Sequence, residues 1–214
     1  ANIFVLKLNA NGNLVWARNM GGVGNDNGNF IAVDANQNVY ITGEFQDIAD
    51  FDPDSANTYN LHSAKGSPDA FVCKLNAQGN LSWAIALGNT SDDVGYGIDL
   101  DKVGNVYTTG FFEGTVDFDQ GPNSFPLTSG IFADAFVLKM DSAGNFLWAK
   151  KTTLDYTCGL ENMLMVMNPT NDLIVAGNYC QEMDIDFSPA TFNIGVSGKK
   201  STYLMKYNYC GSLN

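Results

Sequence analysis

Aspartates recur in spaced pairs along this 214-residue chain: Asp50 and Asp52 with Asp54 following, then Asp117 and Asp119, then Asp184 and Asp186. Asp-x-Asp spacing lets two carboxylates meet one ion, and hard oxygen ligands of this kind suit Ca²⁺. Asn25, Asp26, Asn27, Asp92 and Asp93 bring more oxygen donors. No segment completes an Asp-x-Asp-x-Asn-Gly…Glu loop, and turn aspartates also cap their own backbone and keep sheet edges soluble. Calcium coordination and turn chemistry both remain open on these residues. The single histidine, His62, has no Ser or Cys nucleophile motif beside it, which favours a surface polar role over a triad. Cys73, Cys158, Cys180 and Cys210 show neither CxxC nor Cys/His metal spacing.

The elements that position these groups form a repeat. Phe4-Val5-Leu6-Lys7-Leu8 returns as Phe71-Val72-Cys73-Lys74-Leu75, as Phe136-Val137-Leu138-Lys139-Met140 and as Tyr203-Leu204-Met205-Lys206-Tyr207, at offsets of 67, 65 and 67. Gly12-Asn13-Leu14-Val15-Trp16 recurs as Gly79-Asn80-Leu81-Ser82-Trp83 and Gly144-Asn145-Phe146-Leu147-Trp148. Each unit carries four strand signals, at 30–33, 39–42, 71–75 and 81–86 in the first complete copy, joined by turns whose glycines supply a positive φ. Cys73 takes the place of Leu6 and Leu138 in its strand, as a small buried hydrophobe would. Such a unit cannot bury both of its faces alone, so units stack. The expected fold is all-β: a β-propeller of four-stranded antiparallel blades, about three repeats of 65–67 residues, forming part of a larger ring. The blades are expected at 29–87, 95–150 and, incomplete, 162–214, with 1–28 supplying the last two strands of a preceding blade.

Length variation separates two faces. Phe4 to Trp16, Phe71 to Trp83 and Phe136 to Trp148 each span 12 residues, whereas Gly43 to Phe71 spans 28 and Gly110 to Phe136 spans 26. All variation falls in the second-to-third and fourth-to-first connections, which emerge on one face because antiparallel strands alternate in direction. Insertions confined to one face of a repeat protein mark its binding side, with drift in exposed loops as the alternative.

Residues that depart from the repeat are the candidates for individual function. Glu44 stands where the other copies have Phe111 and Asn178, and carboxylate pairs about 5 Å or 6.5–9.5 Å apart run glycoside chemistry. Phe111, Phe112, Tyr156 and Tyr179 lie near the variable face and could stack on sugar rings or serve as packing. Trp16, Trp83 and Trp148 recur with the blade and are expected to be packing. Cys158 and Cys180 fall in two loops of one blade, where a disulfide or two separate thiols would fit.

Asp134-Ala135-Phe136-Val137-Leu138-Lys139, Gly144-Asn145-Phe146-Leu147-Trp148-Ala149-Lys150 and Gly104-Asn105-Val106-Tyr107 together resemble the SBBP-type β-propeller repeat. Asp117-Phe118-Asp119-Gln120-Gly121-Pro122 is similar to the Asp-Phe-Asp-Pro-Gly loop common in those repeats, and the resemblance covers essentially the whole chain. It implies a secreted or cell-surface bacterial protein, often a large multi-repeat one exported by type 9 secretion, with no established catalytic residues. Any export signal lies outside this sequence. The net charge of −12 argues against nucleic acid, and no apolar run approaches the roughly 18 residues of a membrane span. The expected function is a non-catalytic scaffold or binding module that contacts protein or glycan at the cell surface through its acidic variable face. A carbohydrate-active hydrolase or lyase is the alternative, and a structural spacer the third reading. Further blades of a longer chain, or a second copy, are the expected structural partners.

Overall fold

Short apolar runs between Gly- and Asn-rich turns put apolar side chains on both faces of a sheet, and the central strands follow that pattern, Val39–Gln46 and Asp134–Met140 being buried almost throughout. The structure, a computed structural model, describes residues 1–64, 66–152, 164–179, 183–184, 192–194 and 201–208. Every regular element among the described residues is a strand. β1 (Ile3–Leu8) pairs with β2 (Leu14–Gly22). Then come β3 (Asn27–Val33), β4 (Val39–Gln46), the short β5 (Ile48–Asp50) and β6 (Asn60–His62), β7 (Pro68–Leu75) and β8 (Leu81–Leu87). The same series returns as β9 (Val94–Leu100), β10 (Val106–Phe112), β11 (Thr115–Asp117), β12 (Pro126–Thr128), β13 (Asp134–Met140) and β14 (Phe146–Lys151). β15 (Leu164–Met167), β16 (Leu173–Tyr179), β17 (Met183–Asp184), β18 (Asn193–Ile194) and β19 (Ser201–Tyr207) complete the described chain.

Two full antiparallel sheets, β3-β4-β7-β8 and β9-β10-β13-β14, are propeller blades; β1-β2 precedes them and β15-β16-β19 follows. Apolar clusters fill the spaces between successive blades. Ile3, Val5, Trp16 and Met20 of the first meet Ile41, Phe71, Cys73 and Leu75 of the second. Tyr40, Val72 and Leu87 of the second meet Val106, Phe136, Leu138 and Met140 of the third. Tyr107, Ala135 and Val137 of the third meet Met165, Val175, Tyr203 and Met205 of the fourth.

The constant-length turns owe their constancy to a side-chain hub. Asp34 Oδ1 accepts the N–H groups of Asn36 and Asn38 at 2.9 Å each, while the Asn38 carbonyl accepts from Asp34 N at 3.0 Å. Asn9, Asn76, Asp101, Asp141 and Asn168 build the same ring. Inserting a residue would break both bonds to one oxygen, so length is fixed by local chemistry. The recurring Trp and Lys then clamp the next blade: Trp16 Nε1 donates to Ala77 O at 3.1 Å, and Trp83 Nε1 and Lys74 Nζ donate to Ser142 O at 3.3 and 2.8 Å. Gly79 (φ +79°) and Gly144 (φ +86°) satisfy two demands at once, since a Cβ there would also stand 3.0 Å from the Trp16 and Trp83 rings.

Neighbouring blades approach closely at Gly95. Its carbonyl accepts from Asn29 Nδ2 at 2.9 Å, and a methyl group on its Cα would overlap Thr42 Oγ1, which lies 3.2 Å from Thr108 Oγ1. Gly95→Ala is expected to destabilise the fold by about 1–3 kcal/mol through overpacking. Thr42→Ala in the same chain should return part of that loss, a non-additivity that urea unfolding of the two single variants and the double variant would measure.

Candidate functional site

The long second-to-third connection does not project from the variable face as the sequence pattern suggests. β5 turns back and pairs with the outer strand of the preceding blade, Gly21 opposite Asp50 and Gly22 opposite Ala49. The chain then runs along the outer rim, where Tyr59 Oη donates to Ala84 O at 3.2 Å. In the third blade Phe125 lies 5.0 Å from Phe146, and residues 119–123 border, with Ile85 and Gly144, a depression of about 230 Å³. An aromatic anchor forces this path. Phe51 is fully buried 4.9 Å from Phe71, and Phe118 sits 5.1 Å from Phe136.

The flanking aspartates organise the rim loops. Asp50 Oδ1 accepts from Asp52 N at 3.0 Å and Tyr59 N at 2.8 Å; Asp117 Oδ1 accepts from Asp119 N and Phe125 N, and its Oδ2 from Ser124 Oγ. Asp52, Asp54 and Asp119 each accept a backbone N–H two residues on, and Asp184 accepts from Phe192 N at 2.9 Å. The hydroxyl of Ser124 holds the Asp117 carboxyl below its ordinary range. Among the described residues no three His, Cys, Asp or Glu side chains gather as a metal ion would require.

Of the residues proposed for ligand contact, Phe112 is corrected to core. It is 1% exposed and packs edge-on to Phe118 at 5.3 Å, because register turns it to the face opposite Phe111. Phe111 is half-buried with its ring 5.6 Å from Tyr96, and Glu44, its equivalent one blade earlier, accepts from Asn27 Nδ2 at 2.9 Å. The third equivalent, Asn178, accepts from Thr202 Oγ1 at 3.1 Å. These three positions occupy the variable-loop ends of the second strands, and the bond described for Glu44 goes to an amide rather than to a second carboxyl. His62 is exposed on β6 opposite Ile48. Cys73 is a buried free thiol, pushed up by burial. Tyr156, Cys158, Cys180 and Asp186 lie outside the described residues, as does the side chain of Tyr179.

Two features escape a comparison of loop lengths. The first is a pair of buried acids between the second and third blades. Asp69 is 4% exposed and Asp93 is 1% exposed. Asp93 accepts from Asn89 N at 2.9 Å and Glu113 N at 3.1 Å, and its own N–H donates to Pro68 O. Burial pushes Asp69 up to about 7 and Asp93 up to about 8, with repulsion from Asp69 and Asp92 adding to the latter. In the third blade the counterpart of Asp69, Asp134, has Lys151 Nζ at 2.6 Å; the second blade has Ala86 where that lysine stands. The missing cation is legible once the repeats are aligned.

The second feature is an open groove of about 550 Å³ on the constant-turn face, between the inner strands of the same two blades. Val33, Asp34, Lys74, Asp99, Lys102 and Val103 are among its lining residues, with Val33 58% and Val103 78% exposed. Its acids face inward: Asp34 and Asp101 serve their turn hubs, and Asp99 Oδ2 accepts from Met167 N at 2.7 Å. Lys102-Val103 replaces Ala35-Asn36 within a turn of unchanged length, which is why loop lengths do not reveal it.

No protein-family model matches the chain. It is similar to an uncharacterized WD repeat-containing protein, L264, of Acanthamoeba polyphaga mimivirus, with 27% identity over 226 residues, covering 92% of this chain and 16% of that protein. The chain therefore spans about one sixth of the relative's length. A WD blade occupies about 40–45 residues, and the 65–67-residue period here exceeds it by about the length of the rim excursion at 47–67.

Two outcomes follow from the acids. Unfolding returns Asp69 and Asp93 to the ordinary value of 3.8, so the protons they hold when folded stabilise the native state fully below that pH. This stabilisation is lost as pH rises through about 7 and 8. Melting temperature should fall between about pH 5 and pH 9, and Asp69→Asn should flatten the descent. Asp117→Ala, measured in excess EGTA, should cost about 1–3 kcal/mol because three donors lose their acceptor without any metal involved.

Proposed function

We propose that this chain is a non-catalytic β-propeller scaffold that binds protein partners, with the constant-face groove as its docking site. One observation carries the reading. The groove joins two blades, its volume of about 550 Å³ lies in the range of ligand sites, and it sets exposed Val33 and Val103 beside exposed Lys102. A partner segment presenting an apolar side chain next to a carboxylate would match it, and similarity to a WD repeat-containing protein supports a scaffold of this kind. A cell-surface setting belongs to the same proposal and is supported by the resemblance of the repeat to those of secreted proteins.

Selection from a random peptide display library on the immobilised chain tests it. Enriched peptides should lose about tenfold or more in affinity to Val103→Asp and to Lys102→Glu, with melting temperatures unchanged. Failure to enrich any peptide, or binding indifferent to both substitutions, would overturn it. The second reading, a carbohydrate site, rests on the half-buried Tyr96–Phe111 ring pair near the variable face. Turnover on a polysaccharide panel that disappears in Glu44→Gln would favour that reading over the scaffold.

A further inference from the structure

A cation that the third blade supplies for itself is missing from the second. In the third blade the Asp134 carboxyl is fully buried, yet Lys151 brings its Nζ to 2.6 Å with a side chain that stays 30% exposed. The two stand diagonally on one face of the β13-β14 pair, because Phe136 lies opposite Lys151 and Asp134 is two residues from Phe136. The second blade keeps this register, with Phe71 opposite Ala86 and Asp69 two residues from Phe71. It keeps the acid and its burial but has lost the lysine. Asp134 also accepts from Gly130 N at 3.2 Å, whereas the one hydrogen bond to the Asp69 side chain comes from Ala64 N at 3.5 Å, longer than an ordinary bond. In the other two copies the acid itself gives way to Asn2 and Ser201, which need no counter-charge. Asp69 is thus a buried carboxyl whose repeat-mate is satisfied by an ammonium and which has none of its own.

We propose that Asp69 is the floor of a socket for a primary ammonium group, which enters over Ala86 as the Lys151 side chain enters over the third blade. Ala86 is half-buried and ends at Cβ, so the matching ligand is what a lysine carries beyond that atom, an n-propylammonium chain. Chemistry selects it: a buried carboxylate needs hydrogen-bond donors as well as charge, and a primary ammonium brings both on a narrow stem. A free amine and the lysine side chain of a partner present the same group. The socket shares no residue with the constant-face groove and stands or falls apart from it.

Melting temperature at about pH 9 with n-propylammonium chloride, against tetramethylammonium chloride and sodium chloride at equal ionic strength, tests this, since Asp69 is then ionised and the amine still protonated. The amine should raise the wild-type value by about 2 °C or more over both controls. Asp69→Asn should lose the rise, and it should fold because Asn2 already holds the same place in the first blade. Ala86→Lys should lose it as well, its own ammonium filling the socket. A capped Gly-Lys-Gly peptide and its Nε-acetylated form separate the two sources. A rise with the unmodified peptide alone assigns the socket to a partner's lysine, and a rise with the free amine but neither peptide assigns it to a small amine. No rise over the controls, a rise that survives Asp69→Asn or Ala86→Lys, or an equal rise with the acetylated peptide would each overturn the proposal.

Discussion

A four-stranded sheet with apolar side chains on both faces has no stable existence alone in water, and each blade of this protein depends on its neighbours to cover it. Other features follow from that requirement. The recurring Trp and Lys reach across to the carbonyls of the next blade's turn, fixing the spacing at the constant end. Gly95 lets the inner strands close to near contact, and the Phe51 and Phe118 anchors fill the outer wedge where blades diverge. Inner edge, constant end and outer rim are thus each held by a different device.

Aspartate serves two opposite ends in this frame. At exposed turns it is an acceptor for several donors, and at Asp172 the bonds from Lys206, Thr170 and Asn168 bring the carboxyl to about 2. Between blades the same side chain is stripped of water, and Asp69 and Asp93 become weak acids. A count of acids therefore overstates the charge available to a ligand, because much of it lies within hydrogen-bonded turns or is neutralised by burial.

Much of the blade was legible in the sequence because its determinants are local. Repeated short apolar runs bounded by Gly- and Asn-rich turns predict the four strands, and the Asx-x-x-x-Asx turns carry their own closing hydrogen bonds. The rim hairpins were not legible, since β5 and β6 are three residues each and β5 finds its partner in β2, more than twenty residues upstream. Phe111 and Phe112 show the same limit. Adjacent in sequence, they face opposite sides of the sheet, and only the register of β10 with β13 says which one enters the core. The buried acids and the groove depend on contacts between blades, which one repeat read alone does not contain. They become visible only as departures between copies, Ala86 against Lys151 and Lys102-Val103 against Ala35-Asn36.

The pairing of β5 with β2 puts the covalent repeat and the cooperative unit out of phase. At the junction of the first two blades, a strand pair encoded within one repeat completes the outer edge of the repeat before it, as a staggered brick bridges the joint beneath. A cut made cleanly at a repeat boundary would leave one bare edge and one stranded hairpin. Recombination or duplication that respects the structure must therefore carry a segment whose ends fall inside blades rather than between them. Tension applied along the chain would likewise load two neighbouring sheets together instead of peeling them off one at a time.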